Sequence, residues 1–148
     1  RFASPLLGPY AASKFAVEAL SDALRRELAP WDIPVAVVEP GAVATPIWEK
    51  SAASAQALLD GLPAQAHGHY AADVDHAKRR ALGAARAGIP AEAVAAVVHA
   101  ALTAARPRTR YLVGRDARIG AVMARWLPDR VLDLYARRTR TSTQDRDG

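Results

Sequence analysis

The run Ile33-Pro34-Val35-Ala36-Val37-Val38-Glu39 limits the fold of this chain more than any other stretch. It is rich in β-branched residues and lacks the polar alternation of a strand with one wet face, the pattern of a strand covered on both sides in a parallel sheet. Parallel strands are joined by long crossovers, usually helical. Helical patterns do flank the run. Before it, Phe15, Ala19 and Ala23 form one apolar row and Ala16, Leu20, Leu24 and Leu28 the next, which predicts a helix from about Tyr10 to Leu28 stopped by Pro30. Asp22 precedes Arg25 and Arg26 at helical spacing on it. Pro40-Gly41 ends the strand, and residues 42–46 continue as a loop at its C-terminal end, where open α/β sheets bind ligands.

Farther on, Ile47 to Asp60 reads as a helix with Gly61 as its stop, and Leu62 to Gly68, with Pro63, as a mobile connection. Tyr70, Val74, Ala77, Ala81 and Ala85 predict another helix closed by Gly88. An excursion of this length between a strand and the next main helix is uncommon unless it covers a site, so residues 47–88 are expected to form a lid. Pro90-Ala91-Glu92 opens a helix through about Ala105, with Val94, Val97, Val98, Ala101 and Leu102 as its stripe, and Arg106-Pro107 breaks it. Arg110 to Gly114 is a short strand. Ile119, Val122, Met123, Trp126 and Leu127 mark a helix, Pro128 interrupts it, and Asp129 caps a last helix to about Arg138 with Val131, Leu132 and Tyr135 inward. Residues 139–148 read as a frayed, disordered tail. The order is that of the tail of one α/β domain spanning 1–138.

Composition narrows the function classes. With 51% hydrophobic residues the chain is not a mostly disordered one. Its apolar runs fall far short of the roughly 18 residues of a membrane span, and a cytoplasmic location is the expectation. The absence of cysteine removes disulfides, thiolate-bound zinc and thiol catalysis. Residues 1–105 carry nine basic and ten acidic groups, whereas 106–148 carry eleven Arg against five Asp, so the net charge of +5 comes from the C-terminal part. A solvated face is the favoured reading of that surplus. Contact with an anionic membrane surface comes second and is not expected, and nucleic acid is not expected as a partner. His67, His69, Asp73, Asp75 and His76 could be drawn as a metal cluster, but a polar, solvated segment is the preferred reading and no metal is expected. His99, on an apolar helix, reads as a structural histidine. The chain opens at Arg1 and reaches helix signals almost at once, which suggests the C-terminal half of something longer.

The chemistry lies in Tyr10 and Lys14. Four residues apart on a helix, they project from one face, one above the other. Proton transfer works best with a pKa near the working pH, and the reference value for tyrosine, about 10, is too high for a base near neutrality. A cation close to a phenol favours the phenolate, and Lys14 is placed to supply that charge.

Tyr10-Ala11-Ala12-Ser13-Lys14 on a helix, then a strand ending Val38-Glu39-Pro40-Gly41, then Thr45, resembles the catalytic half of a short-chain dehydrogenase/reductase. The family pattern is Tyr-x-x-x-Lys followed, after one helix and one strand, by Pro-Gly-x-x-x-Thr; the strand at 110–114 also fits, and the resemblance covers about residues 1–135. It implies the C-terminal part of a doubly wound, parallel-sheet α/β domain of Rossmann type, mostly helical with two short strands. It also implies hydride transfer between NAD or NADP and an alcohol or ketone. In that reading Tyr10 and Lys14 are catalytic, and Tyr10, Lys14, Pro40, Gly41, Val43 and Thr45 bind cofactor, with Lys14 bonding the nicotinamide ribose and Thr45 the carboxamide or a phosphate. Arg25-Arg26-Glu27-Leu28 and Val38-Glu39-Pro40-Gly41 look most like retinol and 17β-hydroxysteroid dehydrogenase relatives, which act on lipophilic alcohols and ketones. Homo-oligomerisation through the helix 10–28 is a further expectation for the full-length protein.

The family's Gly-rich dinucleotide turn, the residue that reads the adenosine ribose, a helix Asn of the proton relay and the catalytic Ser are expected upstream of Tyr10. Ser4 stands too near the tyrosine for the family serine and Ser13 lies inside the motif, so neither receives that role. The 148 residues alone are expected to be inactive. Plainer readings stand beside these: Thr45 as a helix cap, Gly41 as turn chemistry. A non-catalytic relative that keeps the fold for binding or dimerisation is the alternative function.

Overall fold

The computed structural model of the chain describes residues 3–141. They fall into two compact units, the first running to Ala42 and resuming over Ile89–Arg125, the second comprising Val43–Gly88 and the chain from Trp126 onward.

The first unit opens with α1, Gly8–Leu28, which starts two residues ahead of the predicted position. Pro9 is tolerated in the first turn, where its missing N–H would have no helical partner. Arg25 and Arg26 occupy the last turn, the favourable end of the helix dipole for cations. A single 3-10 turn, Ala29–Trp31, follows, and Asp32 leaves it in the left-handed region at φ 53°. Strand β1 covers Val37–Pro40 and pairs in parallel with β2, Arg110–Val113, in the register Val37 to Arg110 and Pro40 to Val113. The strand begins later than the run from Ile33 suggests. Pro34 cannot donate to a ladder, and the first bond to the partner is from the Val37 N–H to the Thr109 carbonyl, 3.0 Å. Between the strands the unit holds α4, Ala91–Thr103, the expected crossover helix, and β2 leads through Gly114, at φ 102°, into α5, Arg115–Trp126.

In the second unit α2, Ile47–Asp60, has its predicted ends, while α3 spans Ala64–Ala87. Helix α3 therefore absorbs His67-Gly68-His69, and the connection expected to be mobile over 62–68 shrinks to Gly61-Leu62-Pro63. One glycine in a helix costs about 1 kcal/mol, which the surrounding alanines and the packing of α2 on α3 offset. Leu59, 4% exposed, is the buried side chain here, and the Lys78 ammonium reaches from α3 to the Gln56 amide oxygen on α2. The last helix, α6, runs over Asp129–Thr141, past Arg138 and into the predicted tail; residues 142–148 lie outside the described ones. Of the side chains expected inward on it, Val131 is exposed and Leu132 half-buried, and that of Tyr135 falls outside the described set.

Burial departs from the sequence reading. Among the described residues only Ala11, Leu59 and Val113 are buried apolar side chains. Strand β1 is half-buried rather than covered on both faces, because β2 and the helices of its unit shield it only in part. On α1 Glu18, Ser21, Asp22 and Arg25 are half-buried together with Ala23 and Leu28 of the predicted apolar rows, while Phe15, Leu20 and Leu24 of those rows face outward. Helix α4 half-buries Val94, Val97 and Ala101 but leaves Leu102 80% exposed. No described helix is long and apolar enough to cross a membrane.

Candidate active site

Tyr10 and Lys14 meet as the helical spacing requires. The Lys14 ammonium stands 5.4 Å from the centroid of the Tyr10 ring, a cation over the face of an aromatic. The tyrosine is 61% exposed, so its phenol is open to a ligand. Among the described residues Lys14 has no carboxylate partner, and none of them takes up its three ammonium donors. Ser13, inside the same motif, donates its hydroxyl to the Tyr10 carbonyl at 2.7 Å and is thereby turned onto its own helix backbone.

Lys14, Glu18 and Asp22 stand at intervals of four on α1, and the lower part of that row is tied to the strands. Arg110, the first residue of β2, donates from Nη2 and Nε to Glu18 Oε2 at 2.7 and 3.0 Å and from Nη2 to Asp22 Oδ1 at 3.2 Å. Its Nε lies 3.5 Å from Glu39 Oε1 on β1, and Arg25 adds a 3.4 Å contact to Asp22, the pairing expected from spacing. One guanidinium thus ties the helix of the tyrosine to both strands. Desolvation pushes the Asp22 carboxyl up, but the hydrogen bond and charge of Arg110, followed by those of Arg25, outweigh it and hold the group below the usual carboxylate range. Glu39 moves the other way: desolvation first and the Glu18 charge second raise it, with Arg110 only partly compensating. Glu39 Oε1 is buried without a hydrogen bond.

Pro40 and Gly41 end β1 in the same unit. The Gly41 N–H donates to the Val113 carbonyl at 2.9 Å, the Ala42 N–H to Asp116 Oδ2 at 2.7 Å, and the Ala42 carbonyl accepts from the Ile89 N–H at 2.9 Å. Both amide donors of the turn are therefore engaged within the protein. No hydrogen bond or ion pair links this turn to the Tyr10–Lys14 pair among the described residues.

Val43 and Thr45 belong to the second unit. The Val43 carbonyl accepts from the Trp48 indole at 2.6 Å, which fixes the approach to α2. Thr45 is not the cap of that helix: the N-cap is Pro46, with no side-chain cap bond, and the threonine hydroxyl makes no hydrogen bond among the described residues. His67, His69, Asp73, Asp75 and His76 all lie on α3, and no three His, Asp or Glu side chains among the described residues are grouped to hold a metal ion. His99 is exposed on α4, against its reading as a structural histidine. Sequence reasoning missed Glu18, Glu39, Arg110 and Asp116. The acid row 18–22 was visible as helical spacing, but nothing local connects it to a residue 88 positions away.

A parallel strand pair with a helical crossover and flanking helices defines part of a Rossmann-type α/β domain. The sequence pattern described as short chain dehydrogenase matches residues 1–56. The chain is 37% identical over 129 residues to an NADPH-dependent 3-dehydrocapnine reductase of Ornithobacterium rhinotracheale, covering 87% of this chain and 43% of that protein. It is 38% identical over 132 residues to mouse (Mus musculus) retinol dehydrogenase 5, covering 85% and 41% respectively. With 11-beta-hydroxysteroid dehydrogenase type 2 of Oryctolagus cuniculus it shares 35% identity over 133 residues, 84% of this chain and 32% of the relative. The chain belongs to the short-chain dehydrogenase/reductase family. It spans about two fifths of the length of the first two of these relatives.

Proposed function

We propose that this chain is the catalytic portion of an NAD(P)-dependent oxidoreductase that interconverts a lipophilic alcohol and its ketone or aldehyde. The observation that carries the reading is the Tyr10–Lys14 pair: an exposed phenol with an ammonium 5.4 Å from its ring centroid, the ammonium having no carboxylate partner among the described residues. The names of the relatives, a retinol and a hydroxysteroid dehydrogenase among them, support lipophilic substrates.

In reduction the Tyr10 hydroxyl gives its proton to the oxygen on which negative charge develops; in oxidation it takes that proton back. Lys14 provides the neighbouring positive charge and has ammonium donors to spare for ribose hydroxyls. The donors of Lys14 and the Thr45 hydroxyl, without hydrogen-bond partners among the described residues, fit a polar cofactor, and Pro40, Gly41 and Val43 would offer it backbone. When bound, the nicotinamide supplies or accepts the hydride. The α2–α3 hairpin is the substrate cover in this reading, and the exposed Phe15, Leu20 and Leu24 of α1 support its use as an oligomer surface in the full-length protein.

The test is Tyr10→Phe in the full-length protein. Turnover of a panel of lipophilic alcohols and ketones is expected to fall by at least about 10²-fold, the scale of a lost general acid/base, while NAD(P)H affinity measured by fluorescence changes little. Undiminished turnover removes Tyr10 from the chemistry.

A further inference from the structure

We propose that Asp116 is the positioning residue of the turn Pro40-Gly41-Ala42, and that position 41 is glycine because of the Asp116 carboxylate. Of the three bonds that hold the turn, two run backbone to backbone; the third, from the Ala42 N–H to Asp116 Oδ2, comes from a side chain 74 positions away. Gly114 makes that contact reachable. At φ 102° it bends the chain sharply between β2 and α5, returning residue 116 to the end of β1. A Cβ built on Gly114 would lie 2.6 Å from Asp116 Oδ1, and one built on Gly41 would fall on the same carboxylate group. Two glycines therefore frame one carboxylate, each bare on the side that faces it.

This assigns Gly41 a partner inside the protein. The atoms that a Cβ at 41 would meet are the end of a short side chain and not backbone. Gly41→Ala is thus expected to leave the strand intact and swing Asp116 away, breaking its bond to Ala42. The rival explanation is that position 41 is bare so that a nicotinamide ring can approach it. The two differ in coupling. If Gly41 acts through Asp116, removing the carboxylate and adding the methyl break the same bond, and together they do no more harm than either alone.

The consequence for cofactor binding rests on the function proposed above, whereas the latch itself does not, so the experiment reads both. In the full-length protein, Gly41→Ala and Asp116→Ala are each expected to raise the KM for NAD(P)H about tenfold, the lower end for a hydrogen bond to a charged group because Asp116 is solvent-exposed. The double variant should stay at about tenfold, and Asp116→Asn, which keeps an amide oxygen for the Ala42 N–H, should restore KM to within about threefold of the parent. Hydrogen exchange of the Ala42 amide gives the second readout: faster in both single variants, unchanged in Asp116→Asn. Factors that multiply in the double variant, or an Ala42 amide indifferent to Asp116→Ala, overturn the proposal. If the exchange pattern holds in a protein without nicotinamide-dependent turnover, the latch stands and the functional reading fails.

Discussion

Arg110→Leu tests whether charge, rather than packing, joins the tyrosine helix to the strands. The leucine keeps most of the aliphatic stem and removes every contact to Glu18, Asp22 and Glu39. The side chains are not deeply buried: Arg110 is 36% exposed, Glu18 21% and Glu39 32%, so solvent screens them. Exposed ion pairs contribute about 0.2–1 kcal/mol, and the forked contact to Glu18 belongs at the upper end, about 1 kcal/mol. Removing the cation also leaves Glu18 facing Glu39 without a counter-charge, which adds to the loss. A destabilisation of about 1–2 kcal/mol is expected, a fall in Tm of about 2–8 °C for a domain of 150–250 residues.

The pH dependence separates charge from packing. The Asp22 carboxyl is held below its ordinary value of 3.8 in the fold, so its contribution is full above that pH and disappears as pH falls through the lower, folded value. Urea unfolding of the full-length protein and the Arg110→Leu variant, followed by circular dichroism at pH 7, 5 and 3, should give a stability gap that is widest at pH 7 and narrows at pH 3. Arg110→Lys should recover part of the gap, since it restores the charge without the planar fork. A gap of equal size at pH 7 and pH 3 would refute the electrostatic account.

Two further outcomes follow from the same reasoning. Glu39 is a carboxyl raised in the fold, so the destabilisation it causes sets in as pH rises above its ordinary 4.5 and persists at neutrality. Glu39→Gln should therefore increase the urea midpoint at pH 7 and leave it unchanged near pH 4; equal shifts at both would contradict the assignment. The nine glycines of the chain never stand two apart, so it contains no Gly-x-Gly-x-x-Gly turn for a dinucleotide. Titrating the purified 148-residue chain with NADH should give no saturable fluorescence change, and a saturable one would show that the proposed upstream half is dispensable for binding.

What could be read from the sequence was local. Ile47 to Asp60 was bounded by Pro46 and Gly61, and the observed α2 has those ends because proline and glycine act on the backbone within a few residues. The Tyr10–Lys14 contact was equally legible, since four residues on a helix leave little choice. The direction in which α1 faces was not. Its apolar rows suggested an inward Phe15 and Leu24, yet the row against the strands carries Glu18 and Asp22, drawn there by an arginine that sequence reading treats as one more residue of a short strand. The glycine at 41 was legible as a glycine that matters, but its reason, a carboxylate arriving from position 116, belongs to the sheet and to no window of sequence. Gly68 misled in the opposite sense, because a single breaker in an alanine-rich stretch is overruled by packing.

The bond from the Ile89 N–H to the Ala42 carbonyl closes the base of the excursion, joining the residues that stand immediately before and after it. Beside that clasp, within the excursion, Gly88 lies so close to Val43 and Ala44 that a Cβ there would come within 2.6 Å of the Ala44 nitrogen. In polymer terms, residues 43–88 are a loop whose ends are pinned independently of its contents. Doubling the length of such a loop adds only about 0.6 kcal/mol of closure entropy. The α2–α3 hairpin can therefore be lengthened, shortened or exchanged for another with little strain on β1 or α4. An architecture of this kind separates the α2–α3 hairpin, which is free to diversify, from the clasp at Ala42 and Ile89, which must keep its geometry.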